Sequence, residues 1–138
     1  MAAGYFYKAG KCWDCAKLWE ATKDNPVEDV SVDSFIQQDV YWNFGTFKEL
    51  AEEMKLVLDA DYSYPVIIDE EHKLVDGAHR IVHAYLDGVK TIKGVVIAND
   101  QWPEPDYDEV KAAKQYQDEK VQEDIRGGLE KASYQSRH

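Results

Sequence analysis

"YPVIIDEEHKLVDGAHRIVHAYLDGVKTIKGVVI", residues 64–97, is the stretch on which the reading of this chain turns. "YPVIID" is a short apolar run with Pro65 near its start, the pattern of a buried strand. "EEH" is a turn and "KLVDG" a second short strand, so residues 64–76 are predicted to form a hairpin-like pair. A helix follows from about His79 to Leu86, closed by Asp87-Gly88 as its C-cap. "TIKGVVIAN" is the last predicted strand. Strands and helices mixed in this way define a small α+β domain.

The junction at Asp76-Gly77 carries the chemistry. At about 100° per residue on a helical wheel, Ile81, Val82, Tyr85 and Leu86 fall on one arc, which is predicted to face the core. Arg80, His83 and Asp87 fall opposite, with His79 between. Gly77 precedes the first turn, where a missing Cβ lets a ligand approach backbone amides closely. Free N–H groups and the positive end of the helix dipole bind phosphate readily. Arg80 brings a guanidinium fork, and His79 a second donor or a proton-transfer group. These features suit an anionic group, above all a phosphate. A plain strand-to-helix turn with two polar residues in solvent explains the same residues equally well.

Upstream, "WDCAKLWEATK" (13–23) places Cys15, Leu18, Trp19 and Thr22 at helical spacing, until Asn25-Pro26 breaks the pattern. "VEDVSV" alternates as a strand, and "DSFIQQDVYWNFG" reads as aromatic and irregular. Thr46 and Glu49 form a capping-box spacing ahead of "FKELAEEMKLVL". Phe47, Leu50, Ala51, Met54 and Leu58 make a stripe that is expected to lie in the core. Residues 1–11 show no period. Downstream, "DQWPEPD" reads as a linker and residues 106–126 as a charged helix with a thin apolar line, stopped by Gly127-Gly128. The last ten residues are expected to fray.

The 138 residues suit one domain, with 104–138 as a C-terminal acidic helix and tail after a domain at 1–103. Sixteen basic residues against 27 acidic ones give a net charge of −11. That surface repels nucleic acid at long range and keeps a small protein in solution. The first residues lack the charged and apolar regions of a signal peptide, and no apolar run approaches the roughly 20 residues of a membrane span. A cytoplasmic protein with no membrane partner is expected.

Residues 64–97 resemble the central part of the ParB/sulfiredoxin-like superfamily, whose members share a strand, a turn and a D-G-x-H-R signature opening a helix. "NPVEDVSVDSF" is similar to the opening strand of these domains. The likeness covers residues 26–98 and implies a small mixed sheet with flanking helices. It further implies that Gly77, Ala78, His79 and Arg80 line a nucleotide-phosphate cradle, with Asp76 and His83 beside it. ATP or CTP would be the cofactor, with Mg²⁺ held among its phosphates. Superfamily activities include CTP-dependent DNA partitioning, serine phosphorylation, sulfinic-acid reduction and nuclease action. Sulfiredoxins carry their reactive cysteine where this chain has Ala78, which removes that chemistry. Partition proteins add a helix-turn-helix module, and the remaining 40 or so residues leave no room for one.

Serine-kinase-like relatives keep a catalytic acid in or after the first strand. Asp29, Asp33 and Asp39 lie there, and Asp33 is taken as the acid that would act with His79. Tyr41, Trp42 and Phe44 offer rings to stack a base, though such a cluster also suits a core. Cys12 and Cys15 have redox spacing, but an irregular segment is expected before them and two thiols fall short of a zinc site. His79 and His83 share a helix face with no adjacent glutamate base, so no protein metal site is assigned.

The expected function is therefore binding of a nucleotide or phosphorylated small molecule, with phosphotransferase or phosphohydrolase chemistry as the reaction class. A competing expectation is a non-enzymatic accessory protein, binding a partner or a second copy through its acidic surface and C-terminal helix. DNA binding or cleavage is a third, opposed by the charge.

Overall fold

The computed structural model describes residues 4–40 and 42–127, with side chains as far as Lys120. Tyr41, Gly128 and the ten residues expected to fray lie outside the described residues. In chain order the elements are β1 (Tyr5–Lys8), β2 (Lys11–Asp14), α1 (Cys15–Ala21), β3 (Glu28–Ser31), α2 (Asp33–Ile36) and α3 (Phe47–Asp59). There follow β4 (Val66–Asp69), β5 (Leu74–Asp76), α4 (Ala78–Leu86), β6 (Thr91–Ile97), β7 (Tyr107–Asp108) and α5 (Glu109–Gly127). The chain divides into two compact units, one holding Asp14–Glu104 with the residues up to Phe6, the other Tyr7–Trp13 with Pro105 onward. Residues 7–13 thus group with the C-terminal segment rather than with the rest of 1–103.

In the first unit a four-stranded mixed sheet has the order β3-β6-β4-β5. β3 runs antiparallel to β6, β6 parallel to β4, and β4 antiparallel to β5. The α+β reading of residues 64–97 holds element by element. All four positions of β4 are buried, so this strand is covered on both faces, as a continuous apolar run requires. Val66 and Ile68 join Val30, Val32, Phe35, Ile81, Ala84 and Ile92 in the main core. Each Val, Ile or Phe side chain among them contributes about 1.5–3 kcal/mol on full burial.

Two expectations about helix faces are corrected. In α4 the buried residues are Ile81 and Ala84, whereas Tyr85 and Leu86 are exposed. Gly77, Ile81 and Ala84 fall at i, i+4 and i+7, and Gly77 lies directly against Val66 of β4. That contact pins the helix start and turns this row, not the wider arc, toward the sheet. In α3 the cap is as expected, but its apolar stripe is not core. Phe47 is 92 % exposed, Met54 57 % and Leu58 58 %, and Val57 alone on this helix is buried. The face of α3 that meets α4 is set by polar contacts of Glu53 and Ala60, which leave the stripe outward.

α1 forms where the spacing predicts, with Asp14 capping it through Ala16 N–H and with Cys15 and Leu18 buried. A short helix, α2, interrupts the stretch read as irregular, and buries Phe35.

The strands at 5–14 and 107–108 correct two further expectations. Residues 5–8 and 11–14 are strands, with β1-β2-β7 as the sheet order, so a strand and not an irregular segment precedes Cys15. Cys12 pairs with Tyr107 and Lys11 with Asp108, so β6 is not the last strand. Ala9 and Gly10 join β1 to β2, both with positive φ (52° and 76°). That is the backbone of a two-residue type I′ hairpin, usually announced by Asn-Gly or Asp-Gly, and Ala-Gly gives no such signal. α5 is the expected charged helix, with Val110 and Tyr116 exposed. Among the described residues no helix is long and apolar enough to cross a membrane.

Candidate functional site

β5 ends at Asp76 and α4 begins at Ala78, so one residue must turn a strand into a helix. Gly77 does so at φ 117°, ψ 23°, a left-handed conformation that L side chains resist. A Cβ there would stand 2.4 Å from Val66 Cγ1. The missing side chain therefore makes room for strand β4. The helix start itself has no side-chain cap and no acidic residue in its first turn. Its dipole thus ends beside Ala78, His79 and Arg80, all half-buried.

Three side chains from outside the turn hold its polar groups. Trp19 of α1 donates its indole N–H to Asp76 Oδ2 at 2.6 Å. The Arg80 guanidinium lies over the Trp19 ring, 5.7 Å from its centroid, and donates from Nη1 to the Pro65 carbonyl at 2.9 Å. His79 donates from Nε2 to the Glu53 carboxylate on α3. Trp42 stacks on the His79 ring, with centroids 4.9 Å apart and planes 18° from parallel. A carboxylate on one imidazole nitrogen fixes ring orientation and tautomer, leaving Nδ1 as the basic nitrogen of the neutral ring.

His83 occupies the seam between α3 and α4. Its Nδ1–H donates to the Ala60 carbonyl at 2.7 Å, and Nε2 stands 3.4 Å from Asp87 Oδ2. Tyr62 packs edge-on against the His83 ring and donates its hydroxyl to the same Asp87 oxygen at 2.8 Å. That bond to a carboxylate pushes the Tyr62 phenol above its ordinary value. Asp61, next in the loop, is held below the usual carboxylate range by the Ser63 hydroxyl and then by the Ser63 amide. His83 is thus engaged in joining two helices.

Of the residues the sequence nominates, Asp76, Gly77, Ala78, His79, Arg80 and Trp42 come together. Asp33 is not part of this network and stands exposed at the first position of α2. Asp29 pairs with Lys93 at 2.5 Å across β3 and β6, and Asp39 is exposed. Phe44 is exposed. Cys12 and Cys15 are both buried and are not joined in a disulfide. Among the described residues no three His, Cys, Asp or Glu side chains gather as a metal site.

Sequence reasoning missed Glu53, Pro65 and the role of Trp19. Trp19 had one signal, an indole N–H on a buried helix face, which needs an acceptor. Glu53 had none beyond sharing a face with Val57. Comparison of the chain with family models, with curated proteins and with solved structures finds no match to any of them.

Proposed function

We propose that the Gly77–Arg80 turn binds the phosphates of a nucleotide or of a phosphorylated small molecule, in a domain of ParB/sulfiredoxin-like type working in the cytoplasm. The observation that carries this is the start of α4: no side-chain cap, no first-turn acid, and a guanidinium and an imidazole within the first turn. Backbone amides and the helix dipole would hold the phosphate, and Arg80 would add charge. The resemblance of "VDGAHR" to a phosphate-cradling signature supports the same reading.

The reaction class open to such a site is phosphoryl transfer or phosphate-ester hydrolysis, with ATP or CTP and Mg²⁺ as candidate cofactors. His79 would be the proton-transfer residue in this reading, acting through Nδ1 while Glu53 holds Nε2. Asp33 would need a separate argument to share that role, because it stands outside the network.

The test is a thermal-shift screen of nucleotides with and without Mg²⁺, on the wild type and on Arg80→Ala. Ligand at a hundredfold excess over Kd stabilises the native state by about 2.7 kcal/mol, which moves the melting temperature by several degrees. A shift in the wild type that Arg80→Ala loses, while keeping its circular dichroism, is expected. No shift with any nucleotide rejects the proposal. A second reading, a non-enzymatic protein that binds a partner through its acidic C-terminal helix, draws on the exposure of Val110 and Tyr116. Deleting residues 109–138 without loss of partner binding or change in mass would reject it.

A further inference from the structure

Helix α3 adds almost nothing to the core it rests on. Eleven of its thirteen residues are exposed, so Val57, buried, is its one apolar anchor. Among the described residues the main core, from Val30 and Phe35 to Ile81 and Ile92, holds no side chain of this helix. The sheet β3-β6-β4-β5 is hydrogen-bonded strand to strand without it.

The contacts that hold α3 are polar, and they fall on two histidines of α4. The Glu53 carboxylate accepts from His79 Nε2, and the Ala60 carbonyl just past the helix accepts from His83 Nδ1 at 2.7 Å. His79 and His83 stand one turn apart, so the two holds lie in line along the seam. Trp42, before α3, stacks on the same His79 ring. On either side of this stretch the chain is tied down separately. Gln38 donates to the His72 carbonyl and accepts from Leu74 N–H, while Tyr62 packs on the core and donates to Asp87. What lies between those ties can lift without disturbing either.

We propose that α3 is a lid on α4, latched by Glu53 on His79 and by Ala60 on His83, which opens as a unit while the sheet and its core stay folded. A hydrogen bond to a carboxylate is about twice as strong as a neutral one, which makes Glu53 the principal latch. Closed, the lid fixes the His79 ring and its tautomer. Open, both imidazoles exchange their protein acceptors for water, and His79 turns without restraint. The lid thus sets whether the histidine in the first turn of α4 is a held group or a loose one. Opening is a property of the free protein and stands or falls apart from the phosphate-binding reading.

A helix of thirteen residues is marginal by itself in water, so the α3 amides exchange with solvent when the lid is open and are protected when it is shut. Native-state hydrogen exchange of the full chain, read amide by amide, tests this. Amides of residues 51–59 are expected to exchange at least about tenfold faster than those of β4 and β6. That exchange depends only weakly on added denaturant, because a local opening exposes little surface. Glu53→Gln keeps an acceptor for His79 but removes its charge, and accelerates the α3 amides severalfold by the same denaturant-insensitive route. Met54→Gln, on the exposed side, leaves them at the wild-type rate. One shared rate and denaturant slope for α3 and β4 overturns the lid. Exchange of α3 indifferent to Glu53→Gln, or equally sensitive to Met54→Gln, overturns the latch.

Discussion

The helix that begins at Phe47 closes its own N-terminus, and the helix that begins at Ala78 does not. Before α3, Thr46 accepts a hydrogen bond from Glu49 N–H at 3.1 Å, and the Glu49 carboxylate accepts one from Gly45 N–H at 2.6 Å. This is a complete capping box, with an acid in the first turn facing the dipole. Before α4 stands a glycine in a left-handed conformation, with no cap and no first-turn acid. The faces differ in the opposite sense. α4 buries Ile81 and Ala84 in the core, while α3 buries Val57 and leaves its apolar stripe outside. Thus α3 has its end satisfied and its apolar stripe exposed, whereas α4 has its side satisfied and its end without a side-chain cap.

The sharpest way to break this contrast is at Gly77. Alanine there must adopt φ 117° and place Cβ 2.4 Å from Val66 Cγ1. Backbone strain of about 1–3 kcal/mol adds to an overpacking cost of similar size. Gly77→Ala is therefore expected to lower unfolding free energy by about 3 kcal/mol or more in denaturant titration. Val66→Ala in the same chain should recover the overlap but not the strain, giving a double-mutant coupling above about 0.5 kcal/mol. A Gly77→Ala protein as stable as wild type breaks the account of the turn.

A smaller effect is expected at the closed end. Thr46→Ala removes the cap of α3 and should cost about 1 kcal/mol at the denaturant midpoint. It should leave any nucleotide-induced thermal shift unchanged if, as proposed, the phosphate site is at α4. The smallest effect concerns the seam between the two helices. The Tyr62 phenol is raised by donating to Asp87, so its contribution is fully present below the ordinary tyrosine value of about 10. It is lost as pH rises through the higher folded value. Stability measured up to about pH 11 should fall less steeply in Tyr62→Phe than in wild type.

Residues 64–97 were legible because each local signal agrees with the fold they enter: an apolar run, a turn, a C-cap and a strand. The α3 cap was legible for the same reason, as Thr46 and Glu49 need no tertiary partner. The burial of that helix was not. Its amphipathic period says which residues share a face, and the partners of Glu53 and Ala60 decide which face turns inward. β1, β2 and β7 were hidden because four- and two-residue strands show no period and Ala9-Gly10 hides a type I′ turn. At the candidate site the sequence named the turn but not its supports. Trp19 reaches Asp76 from 57 positions away, and Glu53 reaches His79 from 26, pairings that no local pattern encodes.

The central claim is that α4 offers its first amides to a phosphate and α3 does not. Backbone amide chemical shifts during titration with ATP or CTP measure this directly. The account predicts the largest, saturable changes at Ala78, His79 and Arg80, with the amides of residues 46–49 unmoved. Saturable changes confined to other residues, or none at 78–80 at saturating nucleotide, would contradict it.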